Sequence, residues 1–367
     1  MNPLRSLWDD FGQAVWLDYI ERDLITGGGL ARLVAADGVR GVTSNPSIFH
    51  QAITRGEAYR DAIDALLAER PRLATGELYE ALAIEDIRGA ADVLQPVYEA
   101  SGGGDGFVSL EVSPLLAADT AGTVAEARRL WREVARPNLM IKVPATPAGL
   151  PAFEQLIADG VNVNVTLMFS LGHYEAVAAA YLRGLARAAE PARVASVASF
   201  FVSRVDTAVD AELEALGTAE ALALRGRAAV ANAGLAYRRF AEIFHGDVFA
   251  PLERRGARVQ RPLWASTSTK NPSYPDVKYV EELVGPETVN TIPTATLDAY
   301  RDHGRPRNAL AEAARSGPEE LARLRSLGVD LDRVTEQLQV EGVAAFARSF
   351  DQLLAALEQA RRGRAGS

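Results

Sequence analysis

Residues 138–146 read NLMIKVPAT. Side chains alternate across a strand, so Leu139, Ile141 and Val143 fall on one face and Met140 and Lys142 on the other. A lysine in an otherwise apolar strand needs a partner or a use. The plain alternative is a lysine that snorkels to solvent or pairs with a carboxylate. The next such segment, VNVNVTL at 161–167, alternates more strictly. Val161, Val163, Val165 and Leu167 form its outer set, and Asn162, Asn164 and Thr166 its inner one.

Six further segments read as strands: AVWLDY (14–19), VRGVTSN (39–45), GFVSLEV (106–112), RVASVASFF (193–201), RPLWAST (261–267) and TVNTIP (288–293). With LMIKVP (139–144) and VNVNVTL they make eight, and helical stretches separate most of them. TVAEARRLWREVA carries an apolar stripe of Val124, Ala127, Leu130, Trp131 and Val134. Thr123 and Glu126 stand at capping-box spacing at its start. Pro147 and Pro151 precede FEQLIAD, and Gly160 stands where a helix C-terminal glycine belongs. Strands alternating with helices predict a parallel sheet. Eight such units predict an α/β fold of the closed (β/α)8 barrel type, with an open doubly wound sheet as the alternative. Neither common nucleotide-binding glycine pattern occurs.

Residues 46–105 and 205–260 are longer than one helix requires and are expected to hold extra helices. SGGGDG (101–106) reads as a flexible loop. Residues 305–365 read as helical, with Val334, Leu338, Val343, Phe346, Phe350, Leu353 and Leu357 on a face that must pack on the barrel. No linker separates a second domain, so residues 1–367 are expected to form one barrel domain with 305–365 as part of it.

Composition narrows the functional classes. The chain has 367 residues, 48% of them hydrophobic and 24% charged, and no apolar run long enough to cross a bilayer. WDDFGQ follows Arg5 where a signal peptide would need its apolar core. There is no cysteine, which excludes disulfides, iron–sulfur clusters and thiolate zinc sites. These features favour a cytoplasmic protein without a membrane partner. The net charge of −9 argues against a general nucleic-acid binder and requires any anionic ligand to meet a local cluster of cations. His50, His173, His245 and His303 are scattered without a two-histidine spacing, so no metal is expected. No GxSxG elbow occurs. Trp8, Trp16, Trp131 and Trp264 read as packing residues, with Trp264 also a candidate to line a site. Asn271–Pro272 reads as a turn, either a plain loop or a substrate contact, and RRGR (361–364) as a solvated basic tail.

Inward-pointing residues near the C-terminal ends of barrel strands face the active site. Alternation places Asp18, Glu111, Lys142 and Thr166 there on four different strands, with Asn45 at the end of a fifth. Val197, Ser199 and Phe201 share one face of theirs. A buried hydrogen-bonded network would also accommodate these residues, but buried charges cost too much to be common filler. A lysine amine among carboxylates suits one chemistry well. It adds to a ketone, loses water and becomes a protonated Schiff base that draws electrons, while the carboxylates move protons.

GVTSNPSIF, IKVPAT, NVNVTLMFS, ASFFVSRVD and WASTSTKNP together resemble the transaldolase family in order and spacing, over about residues 12–304 and into the C-terminal helices. The resemblance implies a (β/α)8 barrel of the pentose phosphate pathway that needs no cofactor or metal. Such an enzyme moves a dihydroxyacetone unit from sedoheptulose 7-phosphate or fructose 6-phosphate to glyceraldehyde 3-phosphate or erythrose 4-phosphate, as a monomer or homodimer. It further implies Lys142 as the Schiff-base lysine and Asp18 as the group taking the C4 hydroxyl proton. Glu111 and Thr166 would hold a proton-shuttling water. Asn45, Asn164 and Ser199 would contact the dihydroxyacetone moiety, and Arg204 the phosphate. Where many members carry a phosphate-binding arginine, STSTKNP offers Lys270, which has the charge but not the bidentate fork. The related fructose-6-phosphate aldolases are shorter and commonly carry tyrosine where Phe201 stands. The alternatives are a lyase that releases free dihydroxyacetone and a barrel that binds sugar phosphates without catalysis.

Overall fold

A computed structural model describes residues 2–365, with side chains described except at Arg55 and from residue 363 onward. Eight parallel strands close in chain order, the eighth pairing with the first. They are β1 (Gln13–Leu17), β2 (Val39–Val42), β3 (Phe107–Glu111), β4 (Leu139–Pro144), β5 (Val163–Met168), β6 (Ser196–Phe201), β7 (Arg261–Ala265) and β8 (Thr288–Ile292). Every predicted strand is present, and β4 has the predicted bounds. The long gaps hold the expected extra helices: Pro46–Arg55, Glu57–Glu69 and Thr75–Ala100 before β3, and four from Ser203–Leu216 to Ala250–Glu253 before β7.

Register sets the inner face. Glu111 pairs with Lys142, Lys142 with Asn164, and Pro144 with Thr166. Lower in the barrel Trp16 points inward, and a Cβ at its neighbour Gly41 would lie 2.5 Å from the indole ring. Only glycine fits there. The Trp16 indole nitrogen donates to Asp105 Oδ1 at 2.8 Å, and Arg40 Nε donates to Asp105 Oδ2 at 2.9 Å. Asp105 thereby ties down SGGGDG, the loop expected to be flexible.

Three other expectations are corrected. The helix Thr120–Val134 is capped by Asp119, whose Oδ1 accepts from Gly122 N at 2.9 Å. Thr123 is therefore inside the helix, where its hydroxyl donates to the Leu116 carbonyl, and Glu126 accepts from Ser113 N instead of closing a capping box. Leu167 leaves the outer set: its φ of 62° interrupts the alternation at the register shift of β5, and its side chain packs against Gly342. Trp264 pairs in register with Asn290 on the outer face and packs edge-on against Phe200, so it does not line a site.

The last helix, Leu331–Ala365, buries Val334, Leu338, Phe346, Phe350, Leu353 and Leu357, the face expected from its periodicity. It packs on the helices Pro46–Arg55 and Thr75–Ala100. Gln339 Nε2 donates to the carbonyls of Ala145 and Leu167, each at 3.0 Å, at the C-terminal ends of β4 and β5. This helix thus crosses the C-terminal mouth of the barrel. In the basic tail Arg361 and Arg362 both pair with Glu358, and the side chain of Arg364 lies outside the described residues. No described helix is long and apolar enough to cross a membrane.

Candidate active site

A cavity of about 300 Å³ opens at this mouth. Asp18, Asn45, Lys142, Thr166, Ser199, Phe201, Arg204 and Lys270 line it, together with Thr43, Thr291 and Phe346, to which sequence reading assigned no site role. Glu111 and Asn164 stand behind that wall. Glu111 lines instead a neighbouring hollow of about 610 Å³, with Tyr79, Glu126 and Arg129, and a hollow of about 470 Å³ lies farther off; neither gathers unpaired cations.

Lys142 is buried. Its Nζ donates to the Ser44 carbonyl at 3.2 Å and lies 3.5 Å from Glu111 Oε2. β3 and β4 fix that pair, because Glu111 and Lys142 are register partners. Burial pushes the Glu111 carboxyl up to about 7 against the attraction of Lys142, and the charge of Asp18 adds to the rise. Glu111 Oε2 and Thr166 Oγ1 are both buried without a hydrogen-bond partner among the described residues. Polar atoms left so in a protein interior are costly unless something else meets them.

Asp18 accepts a hydrogen bond from Thr43 Oγ1 at 2.7 Å, and Thr43 Oγ1 lies 2.6 Å from Thr291 Oγ1. Burial raises the Asp18 pKa, while Lys142, Thr43 and Lys270 favour the carboxylate. The alternation that places Gly41 inward also places Thr43 inward, so its role was readable in VRGVTSN. Asn45 caps the helix Pro46–Arg55, its Oδ1 accepting from Ile48 N at 3.0 Å. Asn164 is fully buried in a relay: its Nδ2 donates to Ser109 Oγ at 3.0 Å and its Oδ1 accepts from Ser199 Oγ at 2.6 Å. It supports Ser199 from beneath and does not itself face the cavity.

The far end of the cavity is electropositive. Arg204 sits in the first turn of the helix Ser203–Leu216, its guanidinium over the Phe201 ring at 5.3 Å. Burial lowers its pKa, and no described carboxylate pairs with it. Asp206, the nearest acidic residue in sequence, accepts from Ala229 N and the Tyr279 hydroxyl instead. Lys270 donates to Ser268 Oγ at 2.7 Å; burial and the charge of Arg204 depress its pKa, and Asp18 partly offsets this. Two cations that repel each other at one end of a polar cavity form an anion site. Among the described residues no group of three or more His, Cys, Asp or Glu is placed to hold a metal ion.

Fold and site define a class of protein: a (β/α)8 barrel enzyme with a lysine-centred site at the C-terminal ends of its strands. The family model described as Transaldolase/Fructose-6-phosphate aldolase matches residues 15–357, and the chain belongs to that family. A relative named Transaldolase from Thiobacillus denitrificans is 54% identical over 348 residues, covering 94% of this chain and 96% of the relative. Transaldolase 1 of Streptomyces coelicolor is 52% identical, covering 95% and 92%. The Transaldolase of Mycolicibacterium smegmatis is 49% identical, covering 97% of each.

Proposed function

We propose that the enzyme transfers a dihydroxyacetone unit from a ketose phosphate to an aldose phosphate through a Schiff base on Lys142, in the non-oxidative pentose phosphate pathway. The observation that carries this reading is the buried Lys142 amine, 3.5 Å from Glu111, in a cavity that ends in Arg204 and Lys270. The amine adds to C2 of the ketose, and water leaves with protons moved by Glu111 through a water held with Thr166. Asp18 takes the C4 hydroxyl proton as the C3–C4 bond breaks, and the electron pair flows into the imine to leave an enamine. The first aldehyde departs. The enamine carbon then attacks the aldehyde carbon of the acceptor, and the steps run in reverse. Asn45 and Ser199 bind the dihydroxyacetone hydroxyls, Phe201 walls the chain, and Arg204 and Lys270 hold the phosphate. The reading takes residues 1–367 as one domain that includes 305–365, acting in the cytoplasm as a monomer or homodimer.

Borohydride added with fructose 6-phosphate is expected to fix a mass adduct on Lys142, and Lys142→Arg to be inactive because a guanidinium stays protonated. An adduct on another lysine in active enzyme would sink the mechanism. Release of free dihydroxyacetone at the full rate without an acceptor would favour the lyase reading.

A further inference from the structure

We propose that Phe346, on the last helix, is the specificity-determining residue that commits the Lys142 intermediate to transfer and not to hydrolysis. The inference rests on the reading of Lys142 as the imine-forming residue. The Phe346 ring is buried, lines the cavity, and has its centroid 5.6 Å from Lys142 Nζ. The other groups at the amine are polar: the Ser44 carbonyl and Glu111. An aromatic face at this distance favours a cation and leaves no acceptor for water on its side.

The ring is held where it is. Gln339, Gly342, Phe346 and Ser349 recur every three to four residues and so share one face of the helix. Gln339 bonds to the Ala145 and Leu167 carbonyls, and Ser349 Oγ accepts from Ser47 Oγ at 2.8 Å. At Gly342 a Cβ would lie 2.9 Å from Leu167 Cδ2, so the helix sits close on the mouth. Anchors before and after Phe346 thus press it over Lys142.

The chemistry gives that position a consequence. After the first aldehyde leaves, the enamine has two fates. Its C3 can attack the acceptor aldehyde. Alternatively C3 takes a proton, water adds across C2=N, and the carbinolamine breaks its C2–N bond to free dihydroxyacetone and the Lys142 amine. Both routes end with water adding at C2 to free the lysine, so they part earlier, at C3. An apolar roof beside the nitrogen keeps water, the source of the C3 proton, away from the enamine while it waits for the acceptor.

The experiment measures the partition, free dihydroxyacetone released per acceptor product formed, in wild type, Phe346→Leu, Phe346→Ala and Ser349→Ala. A ratio taken within one reaction does not depend on the fraction of enzyme folded. Phe346→Ala is expected to raise it roughly tenfold, a relative barrier change of about 1.4 kcal/mol. Phe346→Leu, which keeps an apolar roof, should give a smaller rise, and Ser349→Ala a ratio near wild type. An unchanged ratio in Phe346→Ala, or in Phe346→Leu should the alanine variant not fold, overturns the proposal if borohydride still marks Lys142. An equal rise in Ser349→Ala overturns it too, because the helix and not the ring would then be responsible. No Lys142 adduct in active wild type overturns the underlying reading, and this proposal with it.

Discussion

Glu111 is the residue at which burial and charge compete most directly. Its carboxyl is raised to about 7 although Lys142 lies 3.5 Å away, so desolvation outweighs the ion pair. A carboxyl raised on folding takes up a proton as the chain folds, so its contribution to stability is fully present below the unfolded pKa and is lost as pH rises through about 7. Glu111→Gln removes that contribution. The variant is therefore expected to gain in unfolding midpoint relative to wild type between pH 5 and pH 8, and parallel midpoint curves would show that Glu111 titrates near its ordinary value. Kinetics separate its role from that of Asp18. Rapid quench with borohydride should show Asp18→Ala forming the imine but cleaving it slowly, and Glu111→Ala slow in forming it. Equal defects at both steps would mean that the roles are misassigned.

Elements built on a period of two were legible from sequence, and contacts across the chain were not. Lys142, Thr166 and Asp18 reach the cavity because one strand face must be apolar to meet the helices, which leaves only the other for function. The capping box failed because Asp119, upstream of the apolar stripe, offered a better acceptor than Thr123. The sequence pattern places Phe346 only on a packing face. Which residue of that face meets Lys142 depends on how the helix crosses the mouth, and periodicity carries no such information. The loop bearing Lys270 is likewise held from a distance. The Tyr274 hydroxyl donates to Asp210 Oδ2 at 2.6 Å, while Asp210 Oδ1 accepts from Gly226 N at 2.8 Å. Gly226 has φ 70°, and a Cβ there would lie 2.8 Å from the Tyr274 ring. Tyr274→Phe loses one charge-assisted hydrogen bond and should raise KM for fructose 6-phosphate roughly threefold to tenfold, leaving turnover of unphosphorylated donors alone. Arg204→Ala and Lys270→Ala remove the charges themselves and should weaken phosphorylated donors by about tenfold to a hundredfold. If Lys270→Ala leaves that KM unaltered, Arg204 works with another partner and the loop has no part in binding.

The two ends of the barrel divide the labour of the whole molecule. The C-terminal mouth concentrates costly groups: two buried carboxylates, a buried lysine and two mutually repelling cations. Stability must come from elsewhere, and the N-terminal end supplies a fully partnered cluster. Asp105 is 1% exposed and joins the Trp16 indole to Arg40 and Arg261, tying β1, β2 and β7 to the loop that enters β3. Asp105→Ala leaves two largely buried guanidinium groups without their carboxylate and the indole N–H without an acceptor. Breaking a buried pair in this way costs about 3–5 kcal/mol, so the unfolding midpoint should fall by several degrees. Asp105→Asn keeps an acceptor for Trp16 and should fall less. Neither variant touches the mouth, so kcat/KM per folded molecule and the yield of the Lys142 adduct should stay at wild-type values below the transition. A normal midpoint in Asp105→Ala would remove the cluster from the account of stability. A folded variant with impaired imine formation would mean that strain at the closed end reaches Lys142 through the strands, and the division between the two ends would fail.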